Sequence, residues 1–333
     1  MTGILRAAAA ELRPLAGHTL AVVGYGNQGR SQALNLRDAG LAVLVGNIAD
    51  ASLEQARADG FEALPIAEAC ARADGVLLLV PDEVMPEVFA LEVAPQLRPG
   101  RLLDFASGYG VAFGAVRPPS DVDVVLVAPR MIGPGVRDRF VSGQGFPSFV
   151  GVHQDATGAA RERMLALARA IGSPRPACIE MSFHDEACLD LFTEQAFGPA
   201  FGRVMLSAVQ TLVDRGYPPE AVLLELYLSG ELAYAFQKIS EVGMLAQLDY
   251  HSHTSQYGSI TRAGRFADLD ATLRERMGAV LDEIRSGGFA DEWSRARDSF
   301  PELRERVHGA RDALPLAAWE RKARAALGFA KGN

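Results

Sequence analysis

A glycine-rich turn directly after an apolar run restricts the fold of this 333-residue chain more than any other feature. Gly24, Gly26 and Gly29 follow the apolar segment 20–23 and precede a stretch with helical spacing of Ala and Leu. In a βαβ unit the first glycine permits a tight turn, the second lets the backbone approach a pyrophosphate, and the third lets the helix pack on the strand. The predicted dinucleotide-binding turn comprises Gly24, Tyr25, Gly26, Asn27, Gln28 and Gly29.

Short Val- and Leu-rich runs separated by helical stretches continue to about residue 153, and beyond residue 182 only helical patterns remain. Continuous apolar strands are typical of a parallel sheet covered by helices on both faces. We predict an α/β fold, with a Rossmann-type doubly wound parallel sheet over residues 1–180 and an all-helical domain over 181–333. The predicted strands are 19–23, 42–45, 75–80, 101–105, 122–127 and 148–152, and the predicted later helices are 187–213, 219–241, 271–286, 290–299 and 316–327.

Charge and composition exclude several classes of partner. A net charge of −8 disfavours nucleic-acid binding, which needs a basic face. Cys70, Cys178 and Cys188 are too few for a disulfide framework or a zinc site. The N-terminal Ala run lies among charged residues, so neither a signal peptide nor a membrane span is expected. We therefore expect a cytoplasmic protein without nucleic-acid or membrane partners.

The end of the second predicted strand bears on the choice of cofactor, because the adenosine ribose lies there in Rossmann folds. Segment 47–52 contains no Arg or Lys to pair with a 2′-phosphate. Asn47 or Asp50 would accept a hydrogen bond from a free 2′-hydroxyl. This favours NADH over NADPH, although Ser52 and backbone amides offer an alternative hold on a phosphate.

Two acidic pairs in the helical half are candidates for metal binding. Asp190 and Glu194 lie four residues apart, so a helix places both on one face. Oxygen ligands of this kind suit Mg²⁺, and a solvated polar stripe is the alternative. Glu225 and Glu231 lie six residues apart and point about 120° apart on a straight helix, so both would serve one ion only if Gly230 marks a distortion.

With these motifs in view, the chain resembles the short class of ketol-acid reductoisomerases, also called acetohydroxy acid isomeroreductases. The likeness spans both halves in order. It is carried by the glycine turn with 33–38, Pro81-Asp82-Glu83, segment 121–124, Gln154-Asp155, Asp190-Leu191-Phe192-Thr193-Glu194-Gln195, segment 216–220 and Ser252-His253-Thr254-Ser255-Gln256-Tyr257-Gly258.

The resemblance implies a Rossmann domain joined to a knotted helical domain, and a homodimer or higher homo-oligomer whose subunits share active sites. It implies two Mg²⁺ ions, a 1,2-alkyl shift of a small anionic 2-hydroxy-3-keto acid, and hydride transfer from the nicotinamide. By resemblance, Asp190 and Glu194 are metal ligands from one chain and Glu225 comes from the partner. Ser252 binds the substrate carboxylate, and Pro81 contacts the cofactor.

The chain departs from the family at several site positions. Ser229 stands where the family has its second glutamate, which leaves Glu231 as a possible substitute. The segment with Ser107 lacks a family His, and Arg130 replaces a family Lys. An Arg keeps its positive charge but does not shuttle a proton. Arg130 is expected either to clamp a carboxylate or to contact a cofactor phosphate, and Ser107 is a candidate substrate contact.

These observations predict a Mg²⁺- and NAD(P)H-dependent oxidoreductase that reduces a small 2-keto acid, with the preceding alkyl shift left open. Two alternatives remain: a reductase of a ketone or imine that has lost the alkyl shift, and a silent dinucleotide-binding protein. His253, Tyr109 and Tyr257 are weighed as proton donors, with surface or packing roles as the alternative.

Overall fold

Nine strands form one sheet in the described part of the chain, which in this computed structural model comprises residues 3–5, 11–173 and 178–329. The sheet order is β1-β9-β8-β7-β6-β5-β2-β3-β4. The strands are β1 (Ile4–Leu5), β2 (Thr19–Val23), β3 (Ala42–Gly46), β4 (Glu62–Leu64), β5 (Gly75–Leu78), β6 (Leu102–Phe105), β7 (Asp123–Pro129), β8 (Ser148–Gln154) and β9 (Cys178–Glu180).

The six strands from β4 to β7 run parallel, as the sequence predicts. The sheet is not wholly parallel, however, because β8 is antiparallel to β7 and β1 is antiparallel to β9. The chain leaves β2 toward β3 on one side and returns to β5 on the other. The carboxyl ends of β2 and β5 therefore form a topological switch point, where open α/β sheets bind their ligands.

Helices cover both faces of the sheet, which explains the continuous apolar strands. Alternate strand residues contribute to two core clusters, with Val22 on one face and Val23 on the other. The α-helices up to residue 192 are α1 (Asn27–Asp38), α2 (Ala51–Ala58), α3 (Ile66–Arg72), α4 (Met85–Val88), α5 (Tyr109–Ala112), α6 (Gly133–Val141), α7 (Ala160–Ala170) and α8 (Phe183–Phe192).

The remaining residues form a second unit that is helical throughout its described part, as predicted. Its α-helices are α9 (Gly198–Val213), α10 (Pro219–Leu223), α11 (Glu231–Val242), α12 (His253–Ala263), α13 (Leu269–Arg285), α14 (Gly288–Ala296), α15 (Phe300–Asp312) and α16 (Pro315–Ala326). The prediction of uninterrupted helices over 187–213 and 219–241 is wrong. π-helical segments at Thr193–Phe197 and Leu224–Leu228 interrupt both, and the second also breaks at Gly230.

The two compact units divide between Asp190 and Leu191, ten residues after the predicted boundary. The difference arises because α8 belongs mainly to the first unit, where Phe183 joins the core of the sheet. The N-terminal Ala run falls on residues 7–10, outside the described residues. Within the described ranges no helix combines the length and apolar character needed to cross a bilayer.

Candidate active site

The glycine turn joins β2 to α1 with the close contacts that the motif predicts. Gly24 has a φ of +93°, a backbone conformation that side chains other than glycine rarely adopt. A Cβ atom on Gly29 would lie 1.9 Å from the carbonyl oxygen of Gly24. Gly26 precedes the first residue of α1 and is exposed. The free N–H groups at this helix start can therefore meet an anion such as a pyrophosphate.

The other end of the turn packs against the loop that follows β7. The Gln28 side-chain amide donates a hydrogen bond to the carbonyl oxygen of Met131 at 2.9 Å. A Cβ atom on Gly133 would lie 2.3 Å from the carbonyl oxygen of Asn27, so α6 begins directly against the turn. Because Arg130 lies in the same loop, the dinucleotide turn and Arg130 share one rigid support.

The predicted ribose-binding segment forms a local hydrogen-bond network. Asn47 Oδ1 accepts from the backbone N–H of Tyr25 at 3.0 Å, and Asn47 Nδ2 donates to Asp50 Oδ1 at 2.8 Å. Asp50 caps α2 by accepting from the N–H groups of Ser52 and Leu53. The Asn47 side chain is thus buried and used internally. Asp50 is exposed and retains a second carboxylate oxygen for a ligand.

Arg130 forms two ion pairs with acidic side chains of the first unit. Its Nη1 lies 3.1 Å from Glu186 Oε1, and its Nη2 lies 2.6 Å from Asp190 Oδ1. The guanidinium also lies over the ring of Phe149, 4.8 Å from the centroid. Arg130 follows β7, while both acids lie one helical turn apart on α8. Two ion pairs and one aromatic contact therefore fix the guanidinium.

Glu186 is the acid that the sequence analysis missed. Its side chain is 1% exposed, and its Oε2 accepts from the Gly108 N–H at 2.6 Å. Burial raises its pKa to about 7; the charge of Asp190 adds to this increase, and the Gly108 N–H and Arg130 oppose it. The spacing Glu186, Asp190, Glu194 repeats every four residues, and this was the available sequence signal.

Ser107 and Pro81 follow β6 and β5 at the carboxyl edge of the parallel strands. Ser107 Oγ accepts from the Tyr109 N–H at 3.3 Å, and Ser107 is half-buried. Pro81 is exposed, and its carbonyl accepts from the first residues around α4. Gly108 packs so closely on α8 that an added Cβ would lie 2.1 Å from the Phe183 carbonyl oxygen. The loops with Ser107 and Arg130 thus both meet α8.

Asp190 is the last residue of the first unit, whereas Glu194, Glu225, Glu231 and Ser252 belong to the second. Glu194 and Glu225 are exposed, and each lies in a π-helical segment, a feature frequent at functional sites. Gly230 has a φ of +82°, and Glu231 begins α11. The helix is therefore not straight there, and Gly230 marks the kind of distortion that the joint use of Glu225 and Glu231 requires.

Ser252 is the N-cap of α12, where its hydroxyl accepts from the Ser255 N–H at 3.3 Å, and it is exposed. His253 is the first residue of α12. Across the described residues of this single chain, no three His, Cys, Asp or Glu side chains are grouped as a metal site. The carboxylate chemistry at Asp190 fits Mg²⁺, but further ligands have to join it.

Comparison with known protein families decides the identity of the fold. Residues 14–177 match the family described as acetohydroxy acid isomeroreductase, NADPH-binding domain, and residues 183–327 match ketol-acid reductoisomerase, C-terminal domain. The chain belongs to the ketol-acid reductoisomerase family. As a member of that family it is an NAD(P)-dependent oxidoreductase, which confirms the predicted enzyme class and Rossmann-type fold.

Proteins named as ketol-acid reductoisomerases match this chain over most of their length. A putative ketol-acid reductoisomerase 3 of Saccharolobus solfataricus is 44% identical over 86% of each chain. A ketol-acid reductoisomerase (NADP(+)) of Methanopyrus kandleri is 42% identical over 87% of each chain. The solved structure of an NADH-preferring ketol-acid reductoisomerase from an uncultured archaeon superposes with a TM-score of 0.91 at 31% identity, covering 97% of this chain and 98% of that one.

Proposed function

We propose that this chain transfers hydride from a nicotinamide dinucleotide to the carbonyl of a small anionic 2-keto acid. The observation that carries this proposal is the arrangement of Arg130, Glu186 and Asp190. The loop with Arg130 packs on the glycine turn, so this group of side chains is attached to the segment that binds the cofactor. A hydride acceptor needs an electrophile beside its oxygen and a source of one proton. Both requirements are met by groups of the same unit, the charged Arg130 and the protonated form of Glu186.

Arg130 and Glu186 have complementary roles in this proposal. The fixed guanidinium of Arg130 binds the negative charge of the substrate or of the developing alkoxide. Glu186 is the proposed proton source, since its carboxyl lies 3.1 Å from the Arg130 guanidinium and burial raises its pKa to about 7. This assignment accounts for the proton chemistry even though Ser107 and Arg130 stand where the family has His and Lys.

We infer that Asp190 and Glu194 bind Mg²⁺ and that Glu225 is supplied by a second subunit. Asp190 has one carboxylate oxygen on Arg130, and no hydrogen bond within the described part of the chain engages the other. Glu231 is a further candidate because the break at Gly230 separates it from the helix with Glu225. Bound Mg²⁺ would polarise the substrate carbonyl as a Lewis acid. Ser252 is proposed to bind the substrate carboxylate.

NADH is the proposed donor. The exposed carboxylate of Asp50 suits a free ribose hydroxyl and repels a 2′-phosphate, and segment 47–52 contains no cation. The similar structure described as NADH-preferring supports this choice. The Methanopyrus relative carries NADP(+) in its name, so the preference has to be measured with both nucleotides.

A homodimer is proposed because a single chain presents no complete metal site in its described residues. The second unit also contains an apolar groove of about 780 Å³ between α9 and α13, with Val204, Ala208, Leu273 and Met277 among its lining residues. A groove of this kind on a soluble protein indicates a protein contact. A second copy is the occupant that would also bring Glu225 to Asp190.

A paired assay tests the reaction. The purified enzyme with Mg²⁺ is given 2-acetolactate or its isomerised 3-hydroxy-2-keto product, and oxidation of NADH and NADPH is followed for each. Activity on both substrates establishes the complete reaction. Activity on the isomerised product alone identifies the second candidate, a reductase without alkyl shift, which the fixed Arg130 favours because the shift needs closer proton control. No oxidation with either substrate contradicts the proposal.

A further inference from the structure

Tyr25 of the glycine turn is attached to both ends of α2. At the start of α2, the Tyr25 N–H donates to Asn47 Oδ1, and Asn47 donates to the capping residue Asp50. At the end of α2, the Tyr25 hydroxyl donates to Asp59 Oδ2 at 2.9 Å. Tyr25 is 3% exposed, and its ring meets Phe61 edge-on at 5.9 Å between centroids. These contacts therefore connect the glycine turn to both ends of α2 in one closed series.

Asp59 accepts most of the hydrogen bonds at the C-terminal end of α2. Besides Tyr25, its carboxylate accepts from Arg30 Nε at 2.7 Å, Arg30 Nη2 at 3.2 Å and Gln55 Nε2 at 2.9 Å. Its side chain is only 14% exposed. The Arg30 hydrogen bond is the main reason that the pKa of Asp59 falls to about 2, so the carboxylate stays charged at neutral pH.

Arg30 connects Asp59 to the first turn of α1. This helix start follows the three glycines and would provide the N–H groups for the pyrophosphate. Asp59 therefore restrains the turn twice, through the Tyr25 side chain between Gly24 and Gly26 and through Arg30 just after Gly29. Since charge-assisted hydrogen bonds are short and directional, both restraints limit movement of the turn backbone.

We propose that Asp59 is a positioning residue for the dinucleotide, which it holds in place through Tyr25 and Arg30 without forming part of the binding turn. The inference rests on the proposed function, namely that the cofactor binds at this turn. A positioned turn lowers the cost of ordering the pyrophosphate cradle when the dinucleotide arrives. Asp59 should accordingly affect cofactor affinity and leave the chemical step alone.

The test measures NADH and NADPH binding by fluorescence titration for the wild type, Asp59→Ala, Tyr25→Phe and the double variant. We expect Asp59→Ala to raise the dissociation constant about tenfold, the change that loss of one such interaction produces. Steady-state kinetics should show a raised KM for the cofactor with an unchanged kcat and an unchanged KM for the keto acid. Asp59→Ala and Tyr25→Phe each remove the Tyr25–Asp59 hydrogen bond, so their effects on the dissociation constant should not be additive. The double variant should bind the cofactor more tightly than the sum of the two single effects predicts.

Asp38→Asn is the matched control. Asp38 lies at the C-terminal end of α1, away from the glycine turn, and its carboxylate also pairs with an arginine, Arg137, at 2.6 Å. The Asp38→Asn variant should bind the cofactor like the wild type. If Asp59→Ala does not fold, Asp59→Asn keeps an acceptor for Tyr25 and removes the charge, and it should show a smaller increase in the dissociation constant.

The outcomes separate the two proposals. A folded wild type that binds neither nucleotide contradicts the proposed function. A wild type that binds, together with an Asp59→Ala variant of equal affinity, overturns the positioning role. Independent effects in the double variant overturn the route through Tyr25. A lowered kcat with unchanged cofactor affinity also overturns the inference, because it would place Asp59 in the chemical step.

Discussion

Arg130 Nη2 lies 2.6 Å from Asp190 Oδ1, and the other nitrogen of the same fork lies 3.1 Å from Glu186 Oε1. Two acids one turn apart on α8 thus share one cation that comes from the end of β7. The pairing keeps two neighbouring carboxylates from repelling each other at close range. It also makes the position of Arg130 sensitive to either acid.

Replacing Arg130 should separate its charge from its geometry. We expect Arg130→Gln to lower kcat about a hundredfold, because it removes the group that faces the developing negative charge. Arg130→Lys should lower kcat about tenfold, since an ammonium group keeps the charge but not the two-pronged contact. Steady-state kinetics measure both. Arg72→Gln, which breaks a surface pair with Glu62, is the control, and an equal loss in that variant would contradict the assignment.

Removing Asp190 should abolish turnover while cofactor binding persists. Asp190→Ala deletes the proposed metal ligand but leaves the contacts of the glycine turn intact. Isothermal titration with Mg²⁺ and fluorescence titration with NADH measure the two events separately. Weakened Mg²⁺ binding with unchanged NADH affinity is expected. Normal turnover of Asp190→Ala would remove the metal proposal.

Glu186 should give the stability of the first unit a pH dependence near neutrality. Its pKa in the fold, about 7, lies above its ordinary value of 4.5, so folding favours the protonated form. This contribution is fully present below pH 4.5 and is lost as the pH rises through 7, on the order of 3 kcal/mol in total. Urea unfolding at pH 5, 6, 7 and 8 should show that slope in the wild type and a weaker slope in Glu186→Gln. Parallel pH profiles would contradict the burial argument.

The close contact inside the glycine turn should make Gly29 irreplaceable. Gly29→Ala places a Cβ atom 1.9 Å from a backbone oxygen, so either the turn or the helix has to shift. We expect a loss of about 3 kcal/mol in unfolding free energy and no measurable NADH binding. Gly309→Ala in α15 is the control, because apart from its chain neighbours and the nearby backbone of its own helix no atom of the described residues lies within 4 Å of its added Cβ. That change should stabilise the helix by about 1 kcal/mol.

The apolar groove between α9 and α13 should be a contact between copies of the chain. Val204 is 58% exposed in the groove, and Val204→Asp would put a charge into a desolvated contact. Analytical ultracentrifugation should find a dimer for the wild type and a monomer for this variant. Val307→Asp is the control, since Val307 is 54% exposed on α15 and lies outside the lining of the groove. A monomeric wild type would overturn the dimer proposal.

The central strands were predictable because each consists of four to seven mostly apolar residues between two helical layers. Strand β2 has the predicted bounds. The short strands β1, β4 and β9 were not predicted, since two or three residues carry no periodicity. The antiparallel pairing of β7 and β8 also escaped, because the apolar run that predicts a strand does not specify the direction of that strand relative to its neighbour.

The site was predictable only where a local motif required it. The glycine turn follows from backbone sterics that act within the motif itself. The buried Glu186 depends on Gly108 and Arg130, which lie 78 and 56 residues away along the chain, and no local pattern reveals such a partnership. Similarly, Glu194 and Glu225 lie in π-helical turns, which depart from the ideal helix that the periodicity argument assumes.

The approach of Gly133 to Asn27 has a consequence for how the enzyme can respond to its substrate. The loop with Arg130 is held on its inner side by Asn27 and Gln28, while Ile132 on its outer side is 77% exposed. A loop supported in this way cannot act as a swinging lid without disturbing the cofactor turn. Adjustment to substrates of different size therefore has to come from side-chain rotamers or from other parts of the chain.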